Sequence, residues 1–329
     1  MYTRREFGKL ALGAVPLASA ALPLMTNAAD EKVAKDASKF NGVQIGVITY
    51  SYRALRDTHA PFSIDWQKKM VDTIIDAMVQ DQINSAEFWI GYIEPAGGGG
   101  RGADPAAVQQ ARQRLHDWRT AHPTEIFEYT KTQFGEAGID IHSCMYNFDD
   151  AIMDDEIDAA FEMANALGTK IITANCTPRS IKRVAPFADK HKLYVAAHSE
   201  NAPFDPDIDG MVFADNLLAA VKLSPYMRIT LDIGHFWAYG GNPVAFIREH
   251  HDKIVNLHLK DRLKNHPEFH SDTNDLAFGK ADTPIKEVLQ LMKREKYNFP
   301  GTIEFEYKTD KTCIEALRDC VQYCKNALA

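Results

Sequence analysis

The residues best suited to chemistry fall in two short stretches. Thr230-Leu-Asp232-Ile-Gly-His235 and Val255-Asn-Leu-His258-Leu-Lys260-Asp261 each begin as an apolar or β-branched run and end in titratable groups, with His258 lying 26 positions after Asp232. Buried strands ordinarily end in turn formers such as Gly, Pro or Asn. Successive strands that end in Asp, His, Lys and Asp instead suit a metal site built on strand tips.

Such tips need a scaffold, and the rest of the chain carries its pattern. From residue 43, apolar β-type runs alternate with amphipathic helical stretches. Strands are expected at 43–49, 83–89, 139–145, 170–174, 193–198, 228–232, 254–259 and 302–306. Helices are expected at 64–80, 105–120, 124–137, 151–167, 179–190, 210–223, 243–251, 283–296 and 311–328, with Gly168 placed to cap the fourth and a long polar loop over 261–280. Strict alternation implies a parallel sheet with helices outside, and eight units imply closure. The expected fold is α/β, a single (β/α)8 TIM barrel, which typically needs about 250 residues. An open doubly wound sheet is the alternative, but no G-x-G-x-x-G follows the first strand. The glycine run 97–100 reads as a flexible loop without a phosphate-binding GK[ST] signature.

In a barrel the reactive face lies at the carboxyl ends of the strands. Those ends carry Tyr50, Glu87, His142, Asn175, His198 with Glu200, Asp232 with His235, His258 with Lys260 and Asp261, and Glu304 with Glu306. Carboxylates mixed with imidazoles suit one divalent ion, Mn2+, Co2+ or Zn2+ before Mg2+. Trp89, Phe236, Trp237 and Tyr239 suit a sugar-stacking wall, with ordinary aromatic packing as the alternative.

The 329 residues are 45% hydrophobic and 25% charged, an ordinary soluble composition, and the net charge of −8 argues against nucleic acid as a partner. Cys313, Cys320 and Cys324 share one helical face and read as core residues. Residues 1–29 read as a targeting segment: Arg4-Arg5-Glu6-Phe7 precedes an apolar run and small-residue cleavage sites, which looks like a twin-arginine export signal. The run of about 15 residues is short of the roughly 20 needed to span a bilayer, so no stable membrane insertion is expected after cleavage. Residues 30–41 are then a linker and 42–329 the barrel. The expected location is the periplasm, reached through the twin-arginine export machinery.

The chain resembles the xylose isomerase-like barrel superfamily, often labelled sugar phosphate isomerase/epimerase. Asp232-Ile-Gly-His235, His258-Leu-Lys-Asp261 and Ile303-Glu304-Phe-Glu306 carry the resemblance, which covers about residues 40–328. The family's metal ligands are a Glu after strand five, the Asp of D-x-x-H, a His after strand seven and a Glu after strand eight. The resemblance therefore implies Asp232, His258 and Glu304 as ligands. At the fifth-strand position this chain reads Val195-Ala-Ala-His198-Ser-Glu200, so His198 takes the ligand place by register and Glu200 is the fallback. In the epimerases that Glu also helps to move the substrate proton.

Each residue keeps a second reading. Asp232 also suits a helix N-cap. His235 is either a substrate contact, as in the family, or a structural histidine, and His142 and Trp237 are further substrate-side candidates. Glu306 is expected to contact substrate, and it competes with Glu304 as ligand because the two share a strand face. Glu87 is a general base or a salt-bridged core carboxylate, and Lys260 polarises a substrate oxygen or is solvated. The expected chemistry is metal-assisted removal of a proton α to the carbonyl of a sugar or keto-sugar by Glu87, Glu200 or His198, giving an enediolate that is reprotonated by an isomerase or epimerase. Loss of a β-leaving group from the same enediolate gives the alternative, a periplasmic 3-keto-glycoside lyase. A non-catalytic sugar-binding protein is the reading from another class.

Overall fold

The computed structural model describes residues 32–96, 104–200, 210–266 and 274–329. The expected export signal, the glycine run 97–100 and the middle of the loop 261–280 lie outside the described residues. Eight parallel strands are formed: β1 (Val43–Ile48), β2 (Ser85–Trp89), β3 (Asp140–Phe148), β4 (Ile171–Cys176), β5 (Tyr194–His198), β6 (Met227–Asp232), β7 (Ile254–Leu259) and β8 (Gly301–Ile303). Each pairs with the next, and β1 pairs in parallel with both β2 (Ile48 opposite Glu87) and β8 (Gly46 opposite Thr302), so the sheet closes on itself. The fold is the expected (β/α)8 barrel. No helix of the described residues is long and apolar enough to cross a membrane.

Between the strands run α1 (Ile64–Asp81), α2 (Pro105–Thr120), α3 (Thr124–Glu136), α4 (Asp154–Leu167), α5 (Ser180–His191), α6 (Ala214–Val221), α7 (Ile233–Ala238), α8 (Pro243–His250), α9 (Ile285–Glu295) and α10 (Cys313–Leu328). Their ends follow local chemistry. The Ser63 hydroxyl accepts from the Trp66 amide to start α1, and Thr312 and Glu315 form a reciprocal capping box on α10. Gly168 closes α4 at φ +84, a left-handed turn that costs glycine nothing. Cys313, Cys320 and Cys324 are buried on α10, as their spacing implies.

Two elements depart from the sequence pattern. Helix α7 is additional: the Asp232 carboxylate accepts from the His235 amide, so the chain turns into a helix directly at the end of β6. β8 stops at Ile303 although Thr302–Glu306 alternates like a strand. Beyond it the Glu304 amide still donates to the Leu259 carbonyl (3.2 Å), but the Phe305 amide donates to the Ser51 hydroxyl (2.9 Å), so the backbone leaves the ladder with its donors satisfied.

Apolar strand residues such as Ile45, Val47, Phe88, Leu231, Leu257 and Ile303 are fully buried in the core cluster shared with the helices. The alternate positions point inward, as cross-barrel contacts show. Glu87 on β2 reaches Thr173 on β4 and Asn256 on β7, strands that are not its neighbours. A separate buried ion cluster ties the segment after β2 to the helices. Arg119 of α2 binds Glu94 with Nε–Oε1 at 2.7 Å and Glu156 of α4 at 3.0 Å, and packs 4.7 Å from the Tyr146 ring. Removing the guanidinium strands two buried carboxylates, so Arg119→Leu is expected to lower stability by about 3–5 kcal/mol in urea unfolding; an effect below about 1 kcal/mol would show that water already screens the cluster.

Candidate metal centre

The ends of β5, β6 and β7 and the residue following β8 bring His198, Asp232, His258 and Glu304 together. One ligand atom from each lies within 4.8 Å of the others, and all four residues are buried. The atoms concerned are His198 Nε2, Asp232 Oδ2, His258 Nδ1 and Glu304 Oε2, and none makes a hydrogen bond. They are nevertheless crowded: His258 Nδ1 is 2.9 Å from Glu304 Oε2, and His198 Nε2 is 3.8 Å from Asp232 Oδ2. Buried polar atoms that approach without hydrogen-bond direction cost free energy unless a cation takes their lone pairs. A buried His–Asp–His–Glu set of this kind can hold a divalent metal ion.

In three of the four residues the other polar atom is already engaged. Asp232 Oδ1 caps α7 at 2.7 Å, so its N-cap role and its place in the cluster coexist on one carboxylate. His198 Nδ1 bonds Asn175 Oδ1 at 2.8 Å, and His258 Nε2 bonds Glu87 Oε2 at 2.8 Å. With the hydrogen-bonded nitrogen protonated, each ring can turn the lone pair of its other nitrogen into the cluster when a cation is bound there. Burial opposes charging His258, but Glu87 and Glu304 outweigh it and raise its pKa well above the usual imidazole range. Asp232 is held well below the usual carboxylate range by His235, Lys260 and His198 against the cost of burial.

Glu87 is placed behind the ligands and not at the mouth. It is fully buried, with one oxygen accepting from Thr173 and the other from Asn256 (2.6 Å) and His258, the arrangement of a core carboxylate that holds a ligand histidine. Glu200 stands differently: its carboxylate is 3.6 Å from His198 Nδ1 and its side chain keeps 17% of its exposure. Glu304 joins the cluster, whereas Glu306 bonds the Lys260 ammonium. Lys260 is not solvated: it is 3% exposed and also lies 3.2 Å from Glu304 and 3.3 Å from Asp232. Burial alone would discharge it, but Glu304, Glu306 and Asp232 raise its pKa well above the ordinary lysine value.

His235 sits between two cations, with Nε2 3.0 Å from Lys260 Nζ and Nδ1 2.7 Å from Arg262 Nη1. Burial, reinforced by Lys260 and Arg262 against Asp232, lowers its pKa well below normal. Trp237 turns away from the cluster: its indole donates to Asp282 (2.8 Å) under Lys264, and Phe236 packs in the core against Phe246. Asp261 organises the following loop by accepting from the amides of Gly279, Lys280, Ala281 and Thr283. Tyr50 and Trp89 meet edge-to-face at 5.0 Å, and burial with the charges of Glu306 and Glu304 raises the Tyr50 hydroxyl to about 12.

His142 lies lower in the barrel than its sequence position suggests, because β3 runs to Phe148 and its third residue is far from the tip. Its ring nitrogens meet Ser85 Oγ (2.9 Å) and Thr302 Oγ1 (3.3 Å), and Thr302 continues to Asn256 (2.7 Å) and so to Glu87. The roles of Asn175, Asn256 and Thr302 are legible only faintly, as polar residues two positions before, or on the strand beside, the ligands they support.

Burial lowers the His142 pKa from 6.5 to about 4. The unfolded chain therefore takes up a proton near pH 6.5 that the native state refuses until about pH 4, so this residue's contribution is full above 6.5 and is lost as the pH falls. His142→Gln is expected to lose about 1–3 kcal/mol less than the parent between pH 7 and 4 in urea titrations; parallel pH curves for the two proteins would refute the assignment.

A family model described as xylose isomerase-like TIM barrel matches residues 96–326. No curated protein sequence matches the chain. Among solved structures, it resembles a xylose isomerase domain protein from Planctomyces limnophilus at TM-score 0.56 and 14% identity, covering 87% of this chain and 97% of that one. The probable 3-DHS dehydratase AsbF involved in petrobactin synthesis from Bacillus anthracis matches at 0.56 and 13%, covering 85% and 98%. The 3-keto-D-glucoside 4-epimerase YcjR from E. coli matches at 0.53 and 12%, covering 86% and 99%. At these identities the likeness is one of fold.

Proposed function

The chain belongs to the xylose isomerase-like TIM barrel family, and from that premise and its buried ligand cluster we propose that it is a metal-dependent enzyme moving a proton α to the carbonyl of a sugar or keto-sugar. The observation that carries this reading is the set of four buried ligand atoms on His198, Asp232, His258 and Glu304, none of which makes a hydrogen bond and two of which, Asp232 Oδ2 and Glu304 Oε2, also face the Lys260 ammonium. A bound Mn2+, Co2+ or Zn2+ would act there as a Lewis acid on a carbonyl and its neighbouring hydroxyl, acidifying the C–H between them.

The chain's own residues supply the rest. Glu200 is the carboxylate beside the cluster that still reaches solvent, so it is the group assigned to accept the substrate proton. Glu87 and Asn175 act behind the site by holding His258 and His198 in the required tautomers. Tyr50, protonated at neutral pH, donates a hydrogen bond from its aromatic wall with Trp89, a surface on which a sugar ring can stack. Reprotonation of the enediolate gives an isomer or epimer.

A second reading has an observation in its favour. The fifth-strand ligand is His198, so a carboxylate that epimerases of this family use for proton movement is replaced by an imidazole. With Glu200 left as the single base near the cluster, elimination from a 3-keto-glycoside is favoured over two-base epimerisation. Names among the fold neighbours include both an epimerase and a dehydratase, so both outcomes occur on this architecture. The paired arginines Arg4 and Arg5 support export and a periplasmic location, where a non-phosphorylated sugar or glycoside is the fitting substrate.

Asp232→Ala and His258→Ala are each expected to abolish stoichiometric Mn2+, Co2+ or Zn2+ in elemental analysis; unchanged metal content would remove the centre, and a parent protein that binds sugar without metal would be a binding protein. Glu200→Gln is expected to keep its metal while losing about 10²–10⁴-fold in turnover, and an undiminished rate would exclude it as the base. With a panel of ketoses and oxidised glycosides, solvent deuterium in recovered ketose marks isomerisation, whereas release of the aglycone marks elimination.

A further inference from the structure

Building on the metal reading above, we infer that Lys260 occupies the place of a second divalent cation, so that the centre pairs one exchangeable metal ion with one cation built into the chain. Four atoms surround Nζ. It hydrogen-bonds Glu306 Oε2, is 3.0 Å from His235 Nε2, and lies 3.2 Å from Glu304 Oε2 and 3.3 Å from Asp232 Oδ2. Three carboxylate oxygens are themselves hard donors of the kind that hold a divalent ion. Two of these atoms, Asp232 Oδ2 and Glu304 Oε2, also belong to the four-residue cluster. The two cation positions therefore share a pair of bridging carboxylates, the arrangement of a two-metal centre.

Charge explains why an ammonium stands there. Asp232 and Glu304 carry the two negative charges that one divalent ion neutralises. Glu306 adds a third, and the single charge of Lys260 cancels it, whereas a second divalent ion beside Lys260 would leave the buried site strongly positive. Packing keeps the ammonium in place. A Cβ on Gly234 would lie 2.7 Å from the Lys260 carbonyl oxygen and 2.9 Å from its Cβ, so the first turn of α7 presses directly on the lysine stem. Arg262, fully buried and 2.6 Å from Asp275, seats the far side of His235.

The test counts Mn2+ alone, by elemental analysis and electron paramagnetic resonance after chelation and dialysis against the ion. The parent protein is expected to hold one Mn2+ per chain and Lys260→Ala two, with an exchange-coupled spectrum because bridged ions sit about 3.5–4 Å apart. Lys260→Arg, which keeps the charge, is expected to return to one. Lys260→Ala combined with Glu306→Gln, which removes one surrounding carboxylate, is expected to bind the second ion at least tenfold more weakly. If Lys260→Ala folds only with metal present, it is purified in Mn2+ and counted in the same way. One ion in both the parent and Lys260→Ala, or two ions without coupling, overturns this inference while leaving the metal centre standing. A parent protein with no bound Mn2+ overturns the metal reading and this inference with it.

Discussion

Asp232, Glu304 and Glu306 place three carboxylates around one buried ammonium, and Glu87 adds a fourth behind His258. Each such charge costs several kcal/mol to remove from water, and mutual repulsion adds to that cost. The mouth of this barrel is therefore stable only as a balanced set of charges. Lys260 supplies one fixed positive charge, Arg262 is matched by Asp275, and the two ring nitrogens aimed at Asp232 and Glu304 require a further cation or protons. The need for charge balance links the ligands, the lysine and the loop after β7 into one unit.

That balance also separates the residues by task. Side chains whose polar atoms are all committed, such as Glu87 and Asn256, set orientation and do not meet substrate. Side chains with one atom hydrogen-bonded and the other turned into the cluster, such as His198 and Asp232, can hold a cation. Glu200, close to the cluster and still in contact with solvent, is the group proposed for proton transfer. His198 contributes no negative charge to the cluster, so Asp232 and Glu304 are its carboxylates.

The polar column beneath the site extends the same logic through the barrel. His142, Thr302, Asn256 and Glu87 form a chain of hydrogen bonds that rises from the lower part of β3 to His258. Gly46 makes room for it, since a Cβ there would come within 3.1 Å of the His142 ring. A barrel interior filled by polar side chains is costly unless every member is satisfied, and here the column supports the tautomer of a ligand at its upper end.

Much of the architecture was legible in the residues alone. Alternating apolar runs and amphipathic helices specify eight strand–helix units, because period-two and period-3.6 burial are local properties of the chain. Strand-tip position likewise singles out Asp232, His258 and Glu304. The sequence could not show which atom of each residue is used. Asp232 reads equally as a cap and as a ligand until its two oxygens are seen to divide the roles. Glu304 and Glu306 both reach the Lys260 ammonium, as a shared strand face implies, and only the folded barrel shows that Glu304 also meets His258. Glu87, His142 and Trp237 bear the right chemistry for a mouth but face a ligand, the lower barrel and an outer loop. These decisions belong to the closed barrel, because hydrogen bonds across it join strands that are distant in sequence, and only those contacts commit or spare a given lone pair.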